Sequence, residues 1–144
     1  GRYIASGGAD GYAIIWDART GEQVMVLRGH EGEVYSVAWS PDGRYIASGG
    51  ADGYAIIWDA RTGEQVMMLD AADADFQVFS VIWSWDGRCL ASGSDDKTVR
   101  IFDTRTGEPI CVLREFLFPK ILFFGDVLIV RDVARVIIYS VRWD

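Results

Sequence analysis

The sequence predicts an all-β repeat fold: antiparallel strands grouped in fours, each group forming one blade of a β-propeller. Two observations predict it. The stretch "GRYIASGGADGYAIIWDARTGEQVM" fills residues 1–25 and returns unchanged as residues 43–67, and a worn third copy, "GRCLASGSDDKTVRIFDTRTGEPICVL", fills residues 87–113. The spacing of 42 and then 44 residues falls in the range of four-stranded propeller blades. Within each unit, runs of β-forming residues alternate with glycine- and aspartate-rich turns.

The second unit shows the elements most clearly. "VYSVAWS" (34–40) alternates and ends at Pro41-Asp42-Gly43, where proline presets φ and Gly43 supplies the left-handed position of a tight turn. "RYIAS" (44–48) follows and runs into Gly49-Gly50. "YAIIWD" (54–59) is a mostly apolar run, suited to a strand covered on both faces. "ARTGE" (60–64) reads as a hairpin turn with Gly63 at positive φ, and "QVMML" (65–69) as a fourth strand. In chain order these are blade positions A, B, C and D. Residues 1–27 then hold B to D of a first blade, 33–69 a second blade and 77–113 a third.

Composition narrows the function classes. The chain has 144 residues, half of them apolar and 13% aromatic, enough for a core. A net charge of −7 opposes a phosphate-tracking or anionic-membrane surface, so neither nucleic acid nor membrane is expected as a partner. The chain opens on Gly-Arg-Tyr and reads as strand at once, so no secretory signal is expected there, and the lack of an initiating Met suggests a piece of a longer product. There is no asparagine, hence no glycosylation sequon. The most apolar stretch, 116–130, is interrupted by Pro119-Lys120 and Gly125-Asp126 and falls short of a membrane span. Cys89 and Cys111 fit a reducing compartment, and a cytoplasmic location is expected. With Cys89 on B and Cys111 on D, strand C lies between them, which sets them about 10 Å apart at the ~4.8 Å strand spacing, too far for a disulfide.

The dipeptides Trp16-Asp17 and Trp58-Asp59 close position C, Gly29-His30 precedes position A, and "SPDG", "LASGS" and "TVRIFD" complete a set of motifs. Together they closely resemble the WD-repeat β-propellers over residues 1–113. Trp85-Asp86 is a decoy, because it falls in an A–B turn. The resemblance implies that His30, Ser48, Asp52 and Trp58 form a buried hydrogen-bonded chain. The donor and acceptor inventory agrees: the Trp58 indole can only donate, an ionised Asp52 can only accept, and Ser48 and His30 do both. A Ser-His-Asp hydrolase triad is the competing reading, and it is disfavoured because a nucleophile needs an exposed, activated oxygen. Copy one supplies Ser6, Asp10 and Trp16 without a histidine of its own. Copy three keeps Ser92 and Asp96, replaces tryptophan by Phe102 and has Ala72 or Asp73 near the histidine position, so its blade is expected to be the softer one. No dinucleotide fingerprint, phosphate loop or zinc spacing occurs, and no enzymatic activity, cofactor or metal is expected.

The resemblance also implies that partners dock on the face formed by the D–A and B–C loops. The residue after the first valine of position A points into that rim; the matching residues are Tyr35, Phe79 and Tyr139, flanked by Glu33, Gln77, Ala51 and Asp95. Aromatic side chains are favoured interface anchors. The expected function is therefore a non-catalytic scaffold for a protein or peptide. The alternatives are a structural or self-assembling propeller piece and, distantly, a hydrolase.

Ring closure stays open at this level. The tail 136–144 matches position A of the other units, which makes about three blades per chain, and closed rings use about 4 to 8. The tail could complete the first blade of a second molecule in a six-bladed dimer, or further blades could belong to a longer chain. A third possibility places an eroded fourth blade in 114–138. Residues 114–135 have no counterpart elsewhere, and "KILFF-GD-VLIV" within them reads as a hairpin insertion.

Overall fold

The structure is a computed structural model that describes the backbone of residues 1–116, 119–124, 127–131 and 136–140, and the side chains of 1–116, 119–121 and 128–131. The described residues hold 14 strands and no helix. Sheet 1 comprises β1 (Tyr3–Gly7), β2 (Tyr12–Asp17) and β3 (Gln23–Arg28). Sheet 2 comprises β4 (Val34–Trp39), β5 (Tyr45–Gly50), β6 (Tyr54–Asp59) and β7 (Gln65–Asp70). Sheet 3 repeats it with β8 (Val78–Trp83), β9 (Cys89–Ser94), β10 (Thr98–Asp103) and β11 (Pro109–Arg114). Sheet 4 comprises β12 (Lys120–Phe124), β13 (Val127–Arg131) and β14 (Val136–Ser140). Every pairing is antiparallel and between neighbours in sequence. The three repeats thus form three propeller blades, the first with three strands among the described residues.

Local chemistry punctuates the strands as the repeats predict. After each position C, the aspartate takes an N–H in its side chain: Asp17, Asp59 and Asp103 accept from Arg19, Arg61 and Arg105, each at 2.8 Å. Gly63 then turns at φ 76°, a left-handed conformation that side chains oppose. Trp85 sits in the β8–β9 turn and is 65% exposed, so its Trp-Asp pair is indeed not a strand end.

Alternation along each strand gives every middle blade two apolar faces. On β5, Ile46 packs toward sheet 1 with Ile15, Leu27 and Val34, whereas Ala47 packs toward sheet 3 with Val78, Val81 and Leu90. A third cluster joins sheet 3 to sheet 4 through Cys89, Val99, Ile101, Phe116, Leu128 and Val130. Among the described residues the sheets therefore pack on one another in the order 1-2-3-4. Position B carries a glycine at each junction, Gly7, Gly49 and Gly93, because the next inner strand comes too close for a side chain. A Cβ on Gly49 would stand 2.7 Å from Val78 Cγ1, and one on Gly93 would stand 2.8 Å from the Pro119 carbonyl oxygen.

That last contact locates β12: Pro119 and Lys120 arrive beside sheet 3 where an inner strand A would run. The segment 114–135 thus contributes strands to a fourth sheet. Within this chain, residues 136–140 pair with β13 as the third strand of sheet 4, Ile129 opposite Ile138, and residues 141–144 of the expected strand A lie outside the described residues. Cys89 and Cys111 are both free, with β10 between their strands: Ile101 pairs with Ala91 on one side and Cys111 on the other.

Candidate functional site

The buried polar chain assembles once, in blade 2. The Trp58 indole N–H donates to Ser48 Oγ at 2.8 Å, and Ser48 lies 2.7 Å from His30 Nε2. His30 Nδ1 meets Asp52 at 2.9 Å, and the Asp52 carboxylate also takes the Glu31 backbone N–H at 2.9 Å. With an ionised Asp52, which can only accept, Nδ1 carries a proton; in the neutral imidazole Nε2 then accepts and the Ser48 hydroxyl donates to it. The chain ties the D–A connection to β5 and β6. Ser48 is fully buried and its oxygen is occupied by the Trp58 proton, so this constellation has no room for a hydrolytic nucleophile.

The other repeats keep only parts of it. In blade 1, Trp16 donates to Ser6 Oγ at 2.8 Å, while Asp10 only caps the Tyr12 N–H. In blade 3, Asp73 N–H donates to Asp96 at 2.9 Å, the same bond that Glu31 makes to Asp52. The histidine place therefore falls on Ala72, which is buried. Ser92 Oγ is buried without a hydrogen-bond partner among the described residues, as expected from the lost histidine and tryptophan. One residue escaped sequence reasoning: Arg100, where blade 2 has Ile56. Its guanidinium reaches Asp73 at 2.7 Å and Asp96 at 3.1 Å, which re-anchors the loop by an ion pair. The signal in the sequence was a single cation in an apolar strand. Desolvation would raise the Asp96 carboxyl, but hydrogen bonds from Thr98 and Asp73 win and hold it below its ordinary value.

The rim residues sit beside this chain. The ladder between β4 and β5 slips between Val34 and Ser36, and that between β8 and β9 slips between Val78 and Ser80. Each bulge leaves one aromatic residue out of register, Tyr35 and Phe79, which re-aims the side chain. Their rings lie 4.9 Å apart, tilted by 33°, and are 41% and 37% exposed. Tyr35 donates to Glu33 Oε2 at 3.3 Å. Partial loss of hydration, then the Glu33 and Asp95 charges, push the Tyr35 phenol above its ordinary value. Asp95 also accepts the Gln77 N–H at 2.7 Å, and Ala51 N–H donates to the Glu33 carbonyl at 2.9 Å. The structure thus gathers Tyr35, Phe79, Glu33, Gln77, Ala51 and Asp95 around adjacent loops. Tyr139 pairs opposite Leu128 on β14, and its side chain lies outside the described residues. Among the described residues, no group of three or more His, Cys, Asp or Glu could hold a metal ion.

Comparison with known proteins agrees with this geometry. The sequence profile of the WD domain, G-beta repeat, matches residues 1–17, 21–59 and 63–103. The chain is 44% identical over 45 residues to WD repeat-containing protein 1 of Bos taurus, covering 29% of this chain and 7% of that protein. It is 45% identical over 40 residues to Coronin-7 of Mus musculus (28% of this chain, 4% of that protein) and 48% identical over 40 residues to ribosome assembly protein 4 of Chaetomium thermophilum (28% and 8%). The matched segment is thus a small fraction of each of these relatives. With three matched repeats over more than half of its length and antiparallel strands in agreement, the chain belongs to the WD-repeat family.

Proposed function

We propose that the chain is a non-catalytic scaffold that binds a protein or peptide segment, and that the segment is basic. The observation that carries this reading is the exposed Tyr35–Phe79 pair with two carboxylates beside it. Two aromatic faces give contact area with few rotors to freeze, and they attract a Lys or Arg side chain. Glu33 and Asp95 add charge complementarity, in a chain of net charge −7. The first two repeats present identical B–C loops, so discrimination between ligands falls to copy three, the 70–76 linker and the segment 114–138. A labelled Arg/Lys-rich peptide, titrated by fluorescence anisotropy, tests the reading. Binding that weakens by about tenfold or more in the Tyr35→Ala/Phe79→Ala variant, with its circular dichroism unchanged, is the expected result. Equal binding by the double variant, or equal preference for an acidic peptide, refutes it. A role in self-assembly, as part of a homo-oligomer or a longer chain, is favoured separately by the place of β1 at the edge of its sheet among the described residues and by the exposure of Ile4.

A further inference from the structure

The last strand of each repeat carries sulfur at one repeated place: Met25 on β3, Met67 on β7 and Cys111 on β11. Both methionines reach across to the next sheet. The turn between β6 and β7 passes Gly63 at φ 76°, and a Cβ there would stand 2.7 Å from Met25 Sδ. The turn between β10 and β11 passes Gly107 at φ 76°, and a Cβ there would stand 3.0 Å from Met67 Sδ. Gly21 makes the same turn after β2 at φ 73° and meets nothing within 4 Å. The turn alone therefore accounts for the positive φ. Among the described residues, sulfur fills the place of the missing side chain only where one sheet faces another.

Both sulfurs are also within reach of solvent. Met25 lines a cleft of 480 Å³ with Tyr3 and Ile15, and Met67 lines one of 740 Å³ with Tyr45 and Ile57. Each methionine is half-buried, packed on one side against an apolar cluster and open on the other to its cleft. A small oxidant can enter from the cleft. Met68, the third methionine, points to the opposite face of β7, is 45% exposed and stands outside the apolar clusters. It offers the same thioether without the same packing.

We propose that Met25 and Met67 are modification sites at which hydrogen peroxide loosens the packing of sheet 1 on sheet 2 and of sheet 2 on sheet 3. A lone pair on Sδ attacks one peroxide oxygen, the O–O bond breaks and an S–O bond forms. The sulfur is oxidised by two electrons, and the second oxygen leaves with both hydrogens as water. The product, methionine sulfoxide, is a polar side chain where an apolar one was packed. Its oxygen is set among apolar neighbours, and part of the contact with the glycine turn is lost. Met68 takes up oxygen with nothing packed on it to disturb. Cys111 makes the third place chemically different, because burial pushes its thiol above the ordinary value and leaves little thiolate to react. The inference concerns sheet packing alone and is independent of peptide binding at the Tyr35–Phe79 rim.

Hydrogen peroxide applied to the full chain, followed by dithiothreitol to return any oxidised cysteine, tests it. Peptide mass mapping reads the sulfoxide at each methionine, and circular dichroism melts read the consequence. Met68 should be converted first with Tm unchanged, and conversion of Met25 and Met67 should then lower Tm by roughly 3–9 °C. Methionine sulfoxide reductase should restore both the masses and Tm, an arm that needs no variant. Leucine keeps the apolar volume, so Met25→Leu/Met67→Leu should melt alike before and after peroxide, while Met68→Leu loses Tm as the wild type does. Met25 and Met67 left unmodified after Met68 is converted, or modified with Tm unchanged, would overturn the proposal. So would an undiminished fall in the double variant, or a Tm that stays low once the masses have returned.

Discussion

Substituting Ser48 and Ser6 by alanine, one at a time, separates neighbourhood from sequence. The two serines lie in identical 25-residue stretches, so strand propensity and turn chemistry cancel. Ser48 is 0% exposed and joins Trp58 to His30. Its removal leaves the Trp58 N–H and His30 Nε2 unpaired, at about 1–3 kcal/mol for each buried group, or about 2–6 kcal/mol together. Ser6 meets only Trp16, which is half-buried and open to water. Its loss should cost about 0.5–1 kcal/mol, the net worth of one ordinary hydrogen bond. At roughly 3 °C per kcal/mol for a chain of this size, Ser48→Ala lowers Tm by roughly 6–18 °C and Ser6→Ala by about 3 °C or less. Circular dichroism melts, repeated as urea titrations, measure both. Equal losses from the two substitutions would refute the argument that a closed polar chain exists only in blade 2.

Other tests follow from the packing and the ionisable groups. Gly49→Ala drives a methyl into Val78 and Val81 and should destabilise by about 1–3 kcal/mol, read as a lower urea midpoint. Burial pushes the Cys89 thiol up to about 12, with the Asp86 and Asp103 charges adding to it. Cys89 should therefore resist iodoacetamide at pH 8 in the folded chain and react once urea unfolds it, as followed by mass spectrometry. Backbone N–H donors hold the Asp42 and Asp59 carboxyls below the ordinary value of 3.8, with Arg44 and Arg61 their leading donors, and Asp96 is held low against burial. A carboxyl lowered on folding stabilises the native state above its unfolded value and loses that contribution as pH falls through the folded one. The urea midpoint should stay level toward 3.8 and decline below it.

Much of the fold was legible because the repeat carries its own punctuation. Aspartate and glycine set the turns, alternation set the faces, and the polar chain followed from which groups can donate and which can accept. The remainder depended on partners that no local pattern encodes. Arg100 reads as an ordinary strand cation until Asp73, 27 residues away, is seen to meet it. The bulges that turn out Tyr35 and Phe79 arise in the pairing of two strands, and neither strand shows them alone. The tail 136–144 matches an inner strand by composition, yet within the chain its first residues follow β13, because an unpaired edge is satisfied by whichever strand reaches it.

The duplicated stretch marks the division most sharply. By itself the sequence determined the strands, the turns and the tryptophan–serine bond, which appear in both copies at the same 2.8 Å. Only the tertiary structure decided what those strands become. Ile46 is 0% exposed and its twin Ile4 is 55% exposed; Trp58 is sealed while Trp16 is half-open. Strand conformation is a property of the residues and their near neighbours, whereas burial is a property of whatever packs across the sheet. Blade 2 has a sheet on either side and an inner strand, and the described residues of blade 1 have a sheet on one side alone.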